Sequence, residues 1–459
     1  MKLISLEEAT RFNRQEIREY YSRYVNPSLA KVVSLLDFDK QFVQAENFTV
    51  RDADGQEYLD FLGGYGALNL GHNPPAVLEA VQTVAWRPNL LQASLNPLAA
   101  ALGHNLTQIL PGDLGRVFFC NSGAEAVEAA LKIARAYRPD KRKIIYCTGS
   151  FHGKTFGALS VSGRDKYKAP FAPLLPDCAA VDFGDLNALE QKLAAQDTAA
   201  FIVEPIQGEG GVIVPPAGYL AGVRELCSRY GVLLIADEIQ TGFGRTGRLF
   251  ACEHEHVVPD ILCAAKSLGG GIFPLGACIT LPHIWDAVYG GLEKYALHTS
   301  TFGGNTFAMA AGIAALQEIT GKDLANQAEI KGTYLLEKIK ALPDKHHLLK
   351  EVRGQGLLIG LEFNQPVSGL LDKLSFGRIA RAADEYFATL VAGELLNKYH
   401  IITAYTLNNP QVIRLEPPLT VSREALDKVV SALGEILEKS FARVTVDSIG
   451  SAVLNKLKH

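Results

Sequence analysis

The 459-residue sequence predicts an α/β fold in which a mostly parallel central sheet carries helices on both faces and a smaller α+β lobe is attached. The first observation is a set of short runs that are apolar at almost every position and that alternate with helical patterns. Such runs are typical of strands buried on both faces of a parallel sheet. They are KIIYC at 143–147, AAFIVEP at 199–205, GVLLIAD at 231–237 and DILCAA at 260–265.

The second observation is a change of texture at about residue 322, where amphipathic helices begin to alternate with short strands such as GLLIGLEF and QVIRLEPPL. A chain of this length is also too long for one simple core. We therefore expect an N-terminal segment, 1–60, that joins a small domain, a large ligand-binding domain, 61–321, and a C-terminal small domain, 322–459. Within this last part, the segment 364–400 is predicted to be helix-rich and peripheral.

Composition and charge argue against several classes of protein. The chain is 48% hydrophobic and 20% charged with a net charge of −4, so it offers no basic surface for nucleic acid and no polybasic membrane patch. Its start carries acidic and arginine side chains where a secretion signal needs an apolar run, and its least charged stretch, 267–282, is broken by glycines and Pro274. The seven cysteines include no CxxC pair, which favours a reduced, cytoplasmic protein.

One short motif, CEHEH, raises the question of a metal site. On a strand, Cys252, His254 and His256 would lie on one face. A complete site needs a further ligand, and the sequence offers none that we can identify. We therefore predict that the protein has no metal site.

Lys266 is the first candidate for chemistry, because ligands bind beyond the carboxyl ends of the strands in such a sheet. It closes the run 260–265 and is followed by glycines at 269–271. Either its ammonium group extends to water, or the amine is buried, which costs free energy unless it is paired, neutralised or bonded. The glycines favour the second alternative, since they let backbone approach a ligand closely.

The stretch CNSGAEAVEAALKIARAY predicts a helix that is entered through Ser122 and Gly123. Its apolar residues recur at helical spacing, and Ser122 with Glu125 forms a capping-box pattern. This stretch is either simply a well-capped helix or a phosphate site. The second alternative follows because the free N–H groups and the positive dipole end of a helix N-terminus attract anions.

Asp237 directly follows another apolar run and precedes a glycine-rich loop. It either braces that loop or pairs with a cation, and a protonated pyridine nitrogen is such a cation. An anion, a phosphate site, an aromatic ring at Phe151 and a lysine at the next strand end are together the parts that hold pyridoxal phosphate. Lys266 would then be an imine rather than a buried ammonium group.

Six motifs resemble, in order and spacing, those of the class III aminotransferases, which belong to the fold type I superfamily of pyridoxal-phosphate enzymes. They are FCNSGAEAVEAALKIAR, SFHGKTFGALS, FIVEPIQGEGGV, LLIADEIQTGFGRTG, DILCAAKSLGGG and HTSTFGGN. The resemblance covers roughly residues 45–435 and implies an aminotransferase with pyridoxal 5′-phosphate as cofactor. Four further stretches, GHNPPAVLEAV, KAPFAPLLP, FACEHEHVVPDILC and TLNNPQVIRLEPPLT, are most similar to putrescine aminotransferases.

The resemblance implies a role for each residue that matches a family motif. Lys266 binds the cofactor as an imine and later moves the proton. Asp237 binds the pyridine nitrogen and Gln240 binds the ring hydroxyl. Phe151 stacks on one face of the ring and Ile239 packs on the other.

The phosphate group of the cofactor is expected at the start of the helix, at Ser122, Gly123 and Ala124, although the family more often has threonine at position 124. His152, which follows the stacking aromatic residue, is counted with the cofactor-binding residues. Thr301 is expected to reach the phosphate group from the partner subunit. The resemblance therefore implies a homodimer with shared active sites.

The resemblance also assigns four residues to substrate selection. Lys154 stands where relatives that act on ornithine have arginine, and lysine is a poorer clamp for a carboxylate. Glu209 and Arg414 match a pair that, in the family, lets one pocket accept an uncharged or cationic tail and then a dicarboxylate. Tyr65 matches an aromatic residue at the entrance. These positions favour putrescine or a similar diamine or ω-amine as donor, and 2-oxoglutarate or pyruvate as acceptor.

Other functions remain open on the same scaffold. One is an ornithine- or acetylornithine-type enzyme or a broad ω-amino acid:pyruvate aminotransferase. Another is a non-catalytic regulator that only binds the cofactor, because a fold by itself does not establish a function. A nicotinamide-dependent dehydrogenase is disfavoured, since no GxGxxG follows the first strand of a βαβ unit.

Overall fold

The structure, a computed structural model, describes residues 3–91, 93–364 and 387–448. Its N-terminal part consists of short helices followed by an antiparallel meander. The helices are α1 (Leu6–Thr10), α2 (Arg14–Tyr24) and α3 (Pro27–Leu35), and the strands are β1 (Phe42–Glu46), β2 (Thr49–Asp52) and β3 (Glu57–Asp60).

The central part of the chain alternates helices with strands, as the apolar runs predict. Its helices are α4 (Gly63–Gly66), α5 (Pro75–Thr83), α6 (Pro97–Ile109), α7 (Gly123–Tyr137), α8 (Phe156–Ser160), α9 (Asp165–Lys168), α10 (Leu186–Leu193), α11 (Tyr219–Tyr230), α12 (Pro282–Tyr289) and α13 (Thr306–Gly321). Its strands are β4 (Arg116–Cys120), β5 (Lys143–Cys147), β6 (Cys178–Val181), β7 (Thr198–Val203), β8 (Leu233–Asp237), β9 (Ile261–Ala264) and β10 (Gly276–Thr280). The four apolar runs are thus confirmed as strands β5, β7, β8 and β9.

Within the described residues, the central sheet has seven strands in the order β4-β10-β9-β8-β7-β5-β6. Neighbours from β9 to β6 are parallel, and only β10 runs antiparallel to the strands beside it. Every residue of β7, β8 and β9 is buried, which explains why these strands are apolar on both faces. The fold class predicted from the sequence is confirmed.

Two hydrophobic cores lie on the two faces of this sheet. One contains apolar residues of α7 and α12, including Val127, Leu131 and Ile284. The larger core contains residues of α6, α11 and α13, including Leu102 and Val223. Because the sheet is covered on both faces, its polar groups are confined to the strand ends.

The C-terminal part adds a smaller antiparallel sheet in the order β11-β12-β15-β14. Its elements are α14 (Leu324–Lys340), β11 (Leu349–Gln355), β12 (Leu358–Phe363), α15 (Phe387–Tyr399), β13 (Ile401–Ile402), β14 (Ala404–Tyr405), β15 (Val412–Leu415) and α16 (Arg423–Leu437). Strand β13 does not join this sheet but pairs in parallel with β3 at the N-terminal meander. The domain boundaries at 60 and 321 stay a prediction.

The segment 364–400 was expected to be helix-rich and peripheral. Residues 365–386 lie outside the described residues. Helix α15 is present as expected, but Phe387–Leu396 are all buried, so the peripheral position is wrong for this part. Its apolar sequence, FATLVAGELL, is packed against β12, β14 and β15. Among the described helices, none is both long enough and apolar enough to cross a membrane.

Candidate active site

Lys266 lies two residues after the end of β9, in a left-handed backbone conformation with φ of 50°. Gly270 and Gly271 follow with φ of 67° and 74°. A Cβ atom on Gly270 would lie 2.9 Å from a methyl group of Val77, and one on Gly271 would lie 2.5 Å from a methyl group of Leu68. The glycines are therefore required by close protein packing, which differs from the ligand approach that the sequence suggested.

The amine of Lys266 is placed among charged groups of both signs. Burial lowers its pKa below the usual value, and the carboxylates of Glu416, Glu209 and Asp237 only partly offset this effect, which the charge of Arg414 reinforces. Among the described residues, none forms a hydrogen bond with this amine. A lysine whose pKa is lowered in this way is more often the free amine, which is the nucleophilic form.

Asp237, the last residue of β8, forms a buried pair with His152. Its Oδ2 atom lies 2.7 Å from Nδ1 of His152, and its Oδ1 atom accepts a hydrogen bond of 3.1 Å from the N–H of Ile239. The Nε2 atom of His152 is buried without a partner among the residues described. The carboxylate keeps free acceptor capacity after these two contacts, so it can also take a cationic N–H group.

Glu204 is a buried residue of this site to which the sequence alone assigned no role. Its two oxygens accept the N–H groups of Phe151, at 2.9 Å, and of Gly208, at 3.1 Å. Burial above all, with a contribution from Asp237, raises the pKa of Glu204 to about 7. Glu204 thereby links the backbone of Phe151, the residue expected to stack on the cofactor ring, to the turn that follows β7.

The N-terminus of α7 is built largely as expected. Ser122 is the N-cap, and its hydroxyl accepts the N–H of Glu125 at 3.2 Å. The capping box is wrong in one half, because the Glu125 carboxylate accepts the N–H of Asn121, at 2.5 Å, rather than that of Ser122. The amides of Gly123 and Ala124 are in the first turn, where helical N–H groups lack partners within the helix.

Two close contacts hold this helix start against the strand ends. A Cβ atom on Gly123 would lie 2.7 Å from Ile239, and one on Gly153 would lie 2.7 Å from the methyl group of Ala124. The turn after β5, the turn after β8 and the start of α7 therefore meet at the same edge of the sheet. This edge is where the carboxyl ends of the parallel strands predict a ligand site.

Gln240 is held by a second carboxylate that the sequence analysis did not single out, Glu416. The Nε2 atom of Gln240 donates to both Glu416 oxygens, at 3.0 and 3.1 Å, and to the carbonyl oxygen of Tyr65, at 3.3 Å. A Cβ atom on Gly208 would overlap Oε1 of Gln240, at 1.6 Å. The glycine at this position therefore makes room for the Gln240 side chain.

Glu209 and Arg414 form a fully buried, bidentate ion pair with two contacts of 2.6 Å. Burial acts to raise the pKa of Glu209, but the charge and hydrogen bonds of Arg414 outweigh it and hold the pKa below its usual value. The guanidinium carbon of Arg414 lies 5.1 Å from the centre of the Tyr65 ring. Tyr65 itself is about half exposed and has a left-handed backbone.

Lys154 is exposed, and its ammonium group lies 4.6 Å from the centre of the Tyr167 ring. The Tyr167 hydroxyl donates to the carbonyl oxygen of Leu407, at 3.3 Å, and the N–H of Leu407 donates to Glu209, at 2.8 Å. Lys154 is therefore connected to the buried ion pair through two intermediate residues rather than directly.

Thr301 lies beside the start of α7, but it does not share a cavity with Lys266 or Asp237. It is exposed and lines a cavity of about 680 Å³ together with Leu95, Phe118 and His298, among others, and neither Lys266 nor Asp237 lines that cavity. A second cavity that Thr301 lines includes Cys120 at the end of β4 and Glu125 in the first turn of α7, but again neither Lys266 nor Asp237.

The CEHEH motif has a structural explanation in the part of the chain that is described. Cys252 is buried, and the Nε2 atom of His254 lies 3.1 Å from the hydroxyl of Thr246. The described residues contain no group of histidine, cysteine and acidic side chains suited to a metal ion.

Comparisons with known proteins agree with one another. The profile of the family described as aminotransferase class-III matches residues 37–437. The aminotransferase PigE of a Serratia species is 38% identical over 458 residues, an alignment that covers 93% of this chain and 54% of that protein. This chain thus spans about half the length of that curated relative.

Solved structures with similar folds cover nearly the whole chain. An ornithine aminotransferase from Toxoplasma gondii superposes with a TM-score of 0.82 at 32% identity, over 99% of this chain and 100% of that one. An amine transaminase from an uncultivated Pseudomonas species, in its form with pyridoxal phosphate bound, superposes with a TM-score of 0.78 at 33% identity, over 88% and 95% of the two chains.

Proposed function

Because the chain belongs to the class III aminotransferases, which use pyridoxal phosphate, we propose that it transfers the terminal amino group of putrescine or a similar diamine or ω-amine to 2-oxoglutarate or pyruvate. The family membership supports transamination with pyridoxal phosphate as the cofactor. The choice of donor and acceptor is our proposal, and the buried Glu209–Arg414 pair is the observation that carries it.

The residues at the strand ends fit pyridoxal phosphate. Bound there, the cofactor withdraws electrons from the carbon that carries the amine. We assign the covalent attachment and the proton transfer at that carbon to the Lys266 amine, and the anion opposite the ring nitrogen to Asp237. The first amides of α7, at Gly123 and Ala124, are suited to the phosphate group.

The donor preference rests on the state of Arg414. Both of its terminal nitrogens are bonded to Glu209, and it is fully buried. A donor without a carboxylate leaves this pair intact, whereas an amino acid with a carboxylate beside the reacting amine has to displace Glu209. A diamine therefore reacts without the cost of breaking a buried ion pair.

Lys154 supports the same preference at the outer end of the pocket. Its ammonium group lies over the Tyr167 ring, and lysine lacks the planar fork with which arginine holds a carboxylate through two parallel hydrogen bonds. A donor such as ornithine would bring a carboxylate to this end without a matched partner. Putrescine has none.

In the acceptor half of the reaction, Arg414 has to be free of Glu209. When Arg414 is released from Glu209, its two terminal nitrogens can hold one carboxylate of a 2-oxo acid. Glu209 can stay bonded to the N–H of Leu407 while this happens. One arginine thereby serves both half-reactions.

We also propose a homodimer in which Thr301 completes the phosphate site of the partner subunit. Thr301 is exposed, and at the cavity that it lines Leu91 and Leu95 expose 58% and 95% of their surface. Large apolar groups of this kind on a surface typically mark an interface. The expected result is a dimer in sedimentation, with Thr301→Ala making cofactor retention depend on protein concentration; a fully active monomer would contradict the proposal.

The donor preference is tested by measuring kcat/KM for putrescine and for ornithine on the wild type. We expect a preference for putrescine, and Lys154→Arg should raise the relative activity toward ornithine by roughly tenfold, the value of one added charged hydrogen bond. Lys168→Arg is the matched control, because the Lys168 ammonium group lies at 4.5 Å over the ring of Tyr146 in a similar arrangement. A wild-type preference for ornithine, the substrate named for the Toxoplasma gondii enzyme, would overturn the diamine proposal.

A further inference from the structure

Glu416 is a buried carboxylate that has no role in the function proposed so far. It follows β15, is 0% exposed, and accepts hydrogen bonds from Gln240 on both of its oxygens. Its Oε2 atom also lies 3.5 Å from Nη1 of Arg414. Within the part of the chain that the structure describes, the Glu416 carboxylate meets two donors and no acceptor, which is the bonding of an anion.

The position of Glu416 is fixed by more contacts than its hydrogen bonds with Gln240. Its own N–H donates to the carbonyl oxygen of Phe61, at 2.8 Å. Gly66 closes over the carboxylate so tightly that a Cβ atom there would lie 2.8 Å from Oε1. Glu416 therefore has little freedom to turn away when a ligand binds nearby.

Arg414 consequently faces two carboxylates in the buried site. Glu209 accepts from both terminal nitrogens of Arg414 at 2.6 Å, and Glu416 lies 3.5 Å from one of them. Glu416 also interacts electrostatically with Lys266 and with Arg245, whose own hydrogen bonds go to neutral oxygens. When the ion pair of Arg414 with Glu209 opens to admit a ligand, the negative charge of Glu416 remains.

We propose that Glu416 is a specificity-determining residue that weakens the binding of carboxylates at Arg414 and thereby favours partners that carry no carboxylate beside the reacting carbon. This inference rests on the proposed function only in that Arg414 is taken as the carboxylate site of the acceptor. A ligand carboxylate on Arg414 comes close to the charge of Glu416, and like charges repel strongly between side chains that are buried, as Arg414 and Glu416 are. An aldehyde acceptor has no such charge.

The test compares two acceptors that differ in this one group, pyruvate and an aliphatic aldehyde such as butanal, with whichever amine the wild type uses best. Glu416→Gln keeps the size of the side chain and an acceptor for Gln240 but removes the charge. We expect its KM for pyruvate to fall about tenfold, equivalent to ~1.4 kcal/mol, while its KM for butanal changes less than about twofold. A loss that is merely structural would move both constants together.

Binding measured without turnover gives a second readout. Glutarate, a dicarboxylate that cannot react, should bind the Glu416→Gln holoenzyme about tenfold more tightly than the wild type in calorimetry. Glu416→Ala should show the same direction of change if Glu416→Gln does not fold. Glu238→Gln, a change at another fully buried carboxylate whose oxygens accept the N–H groups of Ala251 and Cys252, should leave the ratio of the two KM values unchanged.

Equal changes for pyruvate and butanal, or no change in either KM and none in glutarate binding, would overturn the role of Glu416. Neither result depends on which amine is the donor. A failure of the diamine proposal appears instead in the donor comparison on the wild type, so the two ideas fail separately.

Discussion

Replacing Asp237 by asparagine removes one charge and changes the shape of the side chain very little. The oxygen that accepts the N–H of Ile239 at 3.1 Å can stay in place. The other oxygen, 2.7 Å from Nδ1 of His152, becomes an NH2 group. His152 must then move its hydrogen to Nε2, which is buried and has no acceptor among the described residues.

Two costs follow, and they act on different measurements. The orphaned N–H group of His152 costs about 1–3 kcal/mol of stability in every state of the enzyme. Removing the anion opposite a buried cation costs about 3–5 kcal/mol, and this cost falls on the steps that need a protonated ring nitrogen. We therefore expect Asp237→Asn to lower kcat at least roughly hundredfold, which corresponds to ~3 kcal/mol. The cofactor Kd should change less than about tenfold, because the contacts to the phosphate group remain.

The assay is a single-turnover half-reaction with the best amine, followed by absorbance, beside a titration of the cofactor. Glu238→Gln is the matched control, since it alters the neighbouring buried carboxylate, which accepts hydrogen bonds from Thr241 and from two backbone amides. We expect Glu238→Gln to lower the stability of the protein to a greater extent than the rate of the half-reaction. Equal losses of rate and of cofactor affinity in Asp237→Asn would refute the reasoning and leave Asp237 as a structural residue.

Two further predictions concern Glu204 and Gly208. The pKa of Glu204 is raised from 4.5 to about 7, so the folded protein binds this proton more tightly than the unfolded chain does. The stability gained in this way is complete below pH 4.5 and is lost as the pH rises through about 7. The melting temperature of the wild type relative to Glu204→Gln should therefore fall between about pH 5 and about pH 8, and a difference that does not vary with pH would exclude this titration. Gly208→Ala would place a Cβ atom 1.6 Å from Oε1 of Gln240, so we expect a loss of kcat of at least about tenfold. Gly103→Ala in α6, where no atom lies within 4 Å of the added Cβ, should keep full activity, and equal kcat values for the two variants would contradict the packing argument.

The central sheet could be predicted because its signal is local. Runs such as those ending at Asp237 and before Lys266 are apolar at every position, and only strands covered on both faces require this. The rule that ligands bind at the carboxyl ends of parallel strands then selected the edge of the sheet where the turns after β5 and β8 meet the start of α7. The same rule places His152 and Asp237 at this edge, although their roles in catalysis stay predictions.

The same rule selects Glu204, which directly follows the apolar run of β7 just as Asp237 ends that of β8, but the sequence gives it no role. Glu416 could not be found in this way. It follows a strand of the smaller antiparallel sheet, and its partner Gln240 lies 176 residues away, so only the tertiary structure brings the two side chains together. The buried position of Phe387–Leu396 is likewise a matter of packing between distant segments rather than of sequence pattern.

The glycines after Lys266 have a cause in the structure that differs from the one that the sequence indicates. Their presence suggested that backbone approaches a ligand. In the structure Gly270 and Gly271 make room for Val77 and Leu68, which belong to α5 and to the segment before it. A sequence records that a Cβ atom is excluded, but it does not record what excludes it.

The attachment of the cofactor to Lys266 is the most direct test of the whole account. Borohydride reduction of the purified protein, followed by proteolysis and mass spectrometry, should place a phosphopyridoxyl group on the peptide that contains Lys266. The Lys266→Ala variant should yield no labelled peptide after the same treatment. A label on a different lysine, or an unlabelled wild type that was loaded with cofactor, would contradict the account.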